Sequence, residues 1–258
     1  MKKFQHLPVL QFLLVLLALC FLTSCRTLNC PKRQINLPNK YVVFTFDDGP
    51  NPQGDTTARL LDVLKKYRIQ AMFALLGENV EYSPDLVRRI RDEGHYIINH
   101  GYYDTWVVTM DHEFFRLNLE MGEQAINAAL GEPLNPRLYR PQGGFYKKCH
   151  AKIWQSQGYT LIPSTVRPYD AVKDESNMDR IVRSLMDKIE DQDGGVIMLH
   201  DGRDSHYKIE AALKKKTNGQ YNRSWISEAV EKLILNLQDK GYALSGFDIL
   251  EAAKYNPE

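Results

Sequence analysis

The sequence predicts an α/β fold, one barrel-sized domain of parallel strands covered by helices. Three observations lead there. Short apolar runs alternate with segments of helical periodicity along most of the chain. Each run is nearly continuous in apolar residues, so it is buried on both faces, as a strand in a parallel sheet is. The chain has 258 residues, and the roughly 230 left after an N-terminal export segment suit an α/β barrel better than a sandwich.

Lys2 and Lys3 precede an apolar stretch from about Leu7 to Leu22, followed by Leu22-Thr23-Ser24-Cys25. That is the plan of a secretory signal, and the small residues before the cysteine resemble a bacterial lipobox. The apolar run is short for a stable membrane span. Residues 1–24 are therefore expected to be a signal peptide and Cys25 the lipidated first residue. Residues 25–38, with their Pro, Lys and Arg, read as a tether, and 39–258 as the folded domain. The protein is expected in a bacterial cell envelope, exported and lipid-anchored to a membrane.

Lys plus Arg is 33 and Asp plus Glu is 32, so no basic excess argues for nucleic acid. Of four cysteines, Cys20 leaves with the signal and Cys25 carries lipid. Cys30 and Cys149 are either free thiols or one disulfide. No CxxC pair supports a cysteine zinc site. Nothing in the sequence speaks to oligomeric state.

The first strand, Tyr41 to Phe46, ends in two adjacent carboxylates, Asp47 and Asp48, before Gly49-Pro50 stops it. A helix follows over Thr56 to Tyr67, then the strand Ala71 to Leu76. Ser83-Pro84 opens a helix, with the serine as cap, that stops at Gly94. Tyr96 to His100 is a strand, His112 to Leu130 a helix, and Leu138 to Arg140 a brief strand. A helix over Ala151 to Gln157 leads to the strand Tyr159 to Ser164. The helix Met178 to Glu190 precedes the strand Gly195 to His200. A helix over Ser224 to Lys240 and a strand over Tyr242 to Ser245 complete the pattern.

In a parallel barrel the reactive residues sit at the C-terminal ends of the strands. There the sequence places Asp47 and Asp48, His100, Arg140, a polar loop holding Asp170, and His200. Asp48 and His100 offer an oxygen and a nitrogen to a divalent metal. Asp104, four residues after His100, is the candidate third ligand. Asp47 is left free as a base and His200 as an acid, with Arg140 and Asp170 holding them in their charge states.

At these residues the sequence resembles the polysaccharide deacetylases, the NodB-homology domain of carbohydrate esterase family four. Thr45-Phe46-Asp47-Asp48-Gly49-Pro50 is similar to the family's first motif, and Ile197-Met198-Leu199-His200-Asp201 is close to its last. The resemblance covers about Tyr41 to Leu250. It implies a deformed (β/α) barrel of about seven parallel strands and metal-dependent removal of acetyl groups from a glycan, most simply one containing N-acetylglucosamine. It implies zinc, with cobalt or nickel as substitutes. Asp47 is then the base, Asp48 and His100 ligands, and His200 the acid.

Three motifs depart from the family. H-[ST]-x-x-H becomes His100-Gly101-Tyr102-Tyr103-Asp104, so a carboxylate replaces the second histidine and weakens the Lewis acid. R-P-P-[YF]-G becomes Arg140-Pro141-Gln142-Gly143-Gly144, which predicts a looser loop at Gly143, the residue whose N–H faces the oxyanion. D-x-x-D-W becomes Arg167-Pro168-Tyr169-Asp170-Ala171, without the tryptophan wall. Tyr103 and Trp106, beside Asp104, are candidates to stack on a sugar. His95 reads as structural, while His112, His150 and His206 read as surface, with His206 the nearest of these to the cleft. Two alternatives stand beside the deacetylase: a carbohydrate-binding barrel with weakened turnover, and a hydrolase of another acetylated or small amide substrate.

Overall fold

The computed structural model describes residues 28–29, 39–171, 173–202 and 223–244. The expected signal peptide, Cys25, Cys30 and His206 lie outside the described residues. Among those described, no helix is long and apolar enough to cross a membrane.

In chain order the elements are β1 (Leu28–Asn29), β2 (Tyr41–Gly49), α1 (Thr56–Lys66), β3 (Met72–Leu75), α2 (Gly77–Tyr82), α3 (Pro84–Asp92), β4 (Tyr96–Asn99) and α4 (His112–Leu130). They continue as β5 (Leu138–Tyr139), β6 (Tyr146–Lys147), α5 (Lys148–Ser156), β7 (Thr160–Leu161), α6 (Met178–Gln192), β8 (Gly194–His200), α7 (Trp225–Asp239) and β9 (Ala243–Leu244). A seven-stranded sheet runs in the order β7-β5-β4-β3-β2-β8, with β9 on the start of β2. Every pairing in it is parallel. After β7 the chain bridges to β8 at Val166 and Ile197, which draws the two ends of the sheet together into a deformed barrel.

The alternation of β2 sorts its side chains. Tyr41 and Val43 enter the inner cluster with Met72, Ala74, Ile98, Leu138, Ile162 and Val196. Val42, Phe44 and Phe46 face outward, into the larger cluster under the helices. Phe46 stacks near Phe44 and Phe73, with centroids 6.4 and 5.1 Å away. Truncating such a fully buried ring costs about 3–5 kcal/mol. Because all nine residues of β2 are buried, the strand tolerates no slip in register.

Local chemistry sets the element ends. Asp111 caps α4, its carboxylate accepting from the Phe114 N–H at 2.8 Å, and Gly131 closes it at φ 75°. Ser83 stands before Pro84 but makes no side-chain cap, so Pro at the first helical position sets that start without it. Helix α2, unforeseen in the sequence, fits between β3 and α3. The expected strand Tyr159 to Ser164 shrinks to Thr160–Leu161, since Ile162 and Pro163 turn their carbonyls to Arg140.

Two residues of the stretch read as a tether belong to the fold: β1 pairs antiparallel with β6, Leu28 opposite Lys147. Cys149, just beyond β6, is disulfide-bonded. His150, expected at the surface, is fully buried. Its Nε2 lies 3.2 Å from the Met110 carbonyl and its ring packs 4.8 Å from that of Phe115. A polar stretch of sequence hid an inward-facing residue of α5.

Candidate active site

The alternation that buries Tyr41 and Val43 inside the barrel carries Thr45 and Asp47 inward too. There the Arg140 guanidinium, delivered by the end of β5, donates to Thr45 Oγ1 at 2.7 Å and to Asp47 Oδ1 at 2.5 Å. Its remaining N–H groups go to the Ile162 and Pro163 carbonyls. Asp47 and Arg140 are each about 3% exposed, so neither charge is tolerable without the other.

Asp48 would point outward on a regular strand. Instead the pairing with β3 skips a residue between Asp47 and Gly49, and Asp48 sits in the left-handed region at φ 68°. This bulge re-aims its side chain into the same cleft as Asp47. Asn79 on α2 holds the Asp48 carbonyl at 2.8 Å. A Cβ on Gly202 would fall 1.8 Å from that carbonyl oxygen, so only glycine allows β8's end to pass so close.

His100 follows β4, and its Nε2 lies 3.4 Å from Asp48 Oδ1 and 3.9 Å from Asp47 Oδ2. Burial opposes charge on the ring, yet the bond to Asp48 and the field of Asp47 raise its pKa. For Asp48, burial opposes ionisation, and the His100 bond and the His200 charge outweigh it.

His200 closes β8. Its Nδ1 and its backbone N–H both meet Asp170, at 2.9 Å each. Arg223 in turn donates to Asp170 Oδ2 at 2.7 Å and to the His200 carbonyl at 2.9 Å. Burial disfavours the imidazolium, but Asp170 outweighs it and the His200 pKa is pushed up to about 9. That favours the imidazolium at neutral pH.

The two halves of the cleft therefore hold a carboxylate fixed by a guanidinium and an imidazolium fixed by a carboxylate. Such a pair is able to work as a base and an acid on one space. Whether the donors suit a divalent metal follows from their spacing. Asp48 Oδ1 and His100 Nε2, 3.4 Å apart, match two corners of a tetrahedron with bonds of roughly 2.0–2.1 Å. His100 Nδ1 meets the Arg140 carbonyl at 2.8 Å, which leaves Nε2 as the ligating atom. These two donors fit. Among the described residues, no group of three or more His, Cys, Asp or Glu that could hold an ion is assembled. The chain after His100 bends instead of forming a helical turn, and Asp104 there is half-buried.

The loop at Gly143 is clamped, contrary to the expected looseness. Gln142 donates to the Tyr103 carbonyl at 3.1 Å. The Trp106 ring covers Gly143, where a Cβ would come within 2.9 Å of the indole. Gly143 has φ 72°, so glycine is required twice over. Tyr103 and Trp106 are exposed.

Four contributors escaped the sequence reading. Asn99 braces the turn after β4, accepting from the Gly101 N–H at 2.8 Å and donating to Tyr159. Asn118 accepts from the Tyr102 and Tyr103 N–H groups. Asp201, fully buried, accepts from Thr57 Oγ1 at 2.6 Å, and burial pushes its carboxyl up to about 7. Its place directly after His200 was the available signal. Arg223 lies in no motif, and its role is legible only in three dimensions.

Residues 34–162 match the family model described as polysaccharide deacetylase. A peptidoglycan-N-acetylglucosamine deacetylase of Bacillus cereus is 29% identical over 185 residues, 69% of this chain and 82% of that protein. A chitooligosaccharide deacetylase of Bradyrhizobium is 29% identical over 203 residues, 79% of this chain and 87% of that one. Among solved structures, a CE4 family pseudoenzyme from Bacillus anthracis aligns at TM-score 0.66 and 22% identity, covering 83% of this chain and 65% of the other. That likeness speaks to the fold alone. With its barrel, its motifs and this match in agreement, the chain belongs to the polysaccharide deacetylase family.

Proposed function

We propose that the protein removes acetyl groups from a glycan rich in N-acetylglucosamine. The observation that carries the reading is the matched pair across the cleft, Asp47 on Arg140 and His200 on Asp170. A divalent cation held by Asp48 and His100, with Asp104 as the proposed third ligand and zinc as the expected ion, would supply Lewis acidity toward water and the acetyl carbonyl. Asp47, oriented by Arg140, takes a proton from the attacking water. The water oxygen bonds to the acetyl carbon, the carbon–nitrogen bond breaks, and His200 gives its proton to the leaving amine. Acetate and the free amino sugar leave. Trp106 and the Gly143 loop flank the sugar that carries the acetyl group, with Tyr103 at its outer edge. The envelope address proposed for this activity rests on the signal-like N-terminus and Cys25.

One observation favours a second reading, a carbohydrate-binding barrel with weakened turnover: only two metal donors come together among the described residues. The test is acetate release from N-acetylglucosamine oligomers by protein stripped of metal and refilled with zinc, cobalt or nickel. Release that returns only with metal supports the deacetylase. Folded protein that binds oligomer and releases no acetate with any metal supports the binder.

A further inference from the structure

The catalytic cleft does not account for an apolar surface beside it. Tyr103 is 36% exposed, Phe114 36% and Leu117 47%, and soluble proteins seldom leave such groups together without a use. The Tyr103 and Phe114 rings lie 6.3 Å apart at 20°, nearly parallel. Phe114 and Leu117 stand one turn apart on α4, and half-buried Met121 continues the same edge one turn further. The surface adjoins the loop of Gln142 and Gly143. Tyr103 follows His100 by three residues, its carbonyl is held by Gln142, and its ring meets Tyr102 edge-on at 4.8 Å.

We infer that Tyr103, Phe114 and Leu117 form an outer sugar subsite that binds pyranose rings next to the one being deacetylated. The inference rests on reading the cleft as a glycan site. A pyranose offers flat faces of C–H groups that pack on aromatic planes, and a neutral N-acetylated sugar needs no charged partner there. The occupant is thus an extended glycan chain.

The test is calorimetric affinity of the full-length protein for N-acetylglucosamine dimer and hexamer, with Phe114→Ala and Phe114→Tyr beside the wild type. The wild type should bind hexamer about tenfold tighter than dimer, and Phe114→Ala should lose most of that factor, the worth of one aromatic stack. Dimer affinity should not change, and Phe114→Tyr should behave as wild type. Equal affinity for both lengths, equal loss on both, or no loss in Phe114→Ala would overturn the subsite. So would a Phe114→Ala change in sedimentation alone, which would make the surface a contact between copies. Acetate release from the same oligomers is scored separately. Its absence sinks the deacetylase reading, while the affinity pattern still judges the subsite.

Discussion

Asp170→Asn tests how His200, the proposed acid, is kept charged. The substitution keeps the shape of a fully buried side chain but removes the charge that faces His200 Nδ1 at 2.9 Å. His200 stands at about 9 against an ordinary 6.5, a difference worth about 3 kcal/mol in favour of the imidazolium. Without Asp170, burial and the nearby Arg223 guanidinium oppose the charge while Asp48 and Asp47 still favour it, so the pKa should fall from about 9 toward the ordinary 6.5. A fall all the way to 6.5 would drop the protonated fraction at pH 7.5 from about 97% to about 9%. The alkaline limb of kcat/KM against pH should therefore move down from about 9 toward 6.5, with the largest loss above neutrality. NMR titration of the His200 ring reads the same shift without requiring turnover. An alkaline limb and a ring titration that stay near 9 in folded Asp170→Asn would refute the reasoning. The linkage has a definite sign. A folded-state pKa raised above 6.5 stabilises the fold fully below about 6.5, and this contribution is lost as pH rises through about 9.

Other perturbations have separate readouts. Arg140→Met leaves Asp47 buried and unpaired, which should cost about 3–5 kcal/mol in urea denaturation; the double variant with Asp47→Asn should recover part of it. Gly143→Ala meets the Trp106 ring at 2.9 Å in a left-handed backbone, so it should lower Tm and raise KM through a loss of about 1–2 kcal/mol. His95 accepts from the Ala71 N–H at 3.2 Å, and burial holds it down to about 4. Stability should be full above about pH 6.5 and fall by about 3 kcal/mol as pH drops through 4, a dependence that His95→Gln should flatten.

What the sequence disclosed, and what it withheld, follows from the range of the interactions. The strand Tyr41 to Phe46 and its two terminal carboxylates were legible because apolar continuity and a Gly-Pro stop are local signals. Helix α4 was legible from end to end because Asp111 and Gly131 mark its limits. The bulge at Asp48 was not legible, since it depends on register with β3. Arg223 was missed because its partners, Asp170 and the His200 carbonyl, lie 53 and 23 residues away. His150 was misjudged because polarity along a helix says nothing of which face meets Phe115. The segment from Gly101 to Asp104 follows its own geometry, pinned by Asn118 side-chain and backbone oxygens, which motif spacing alone does not convey.

In the proposed mechanism this cleft performs hydrolysis with Asp47 as the base. The most direct measurement compares turnover with affinity in Asp47→Asn, using metal-loaded protein and an N-acetylglucosamine oligomer. Loss of acetate release by about 10²–10⁴-fold, with oligomer affinity retained, is the predicted result. Acetate release by Asp47→Asn equal to that of the wild type would contradict the claim.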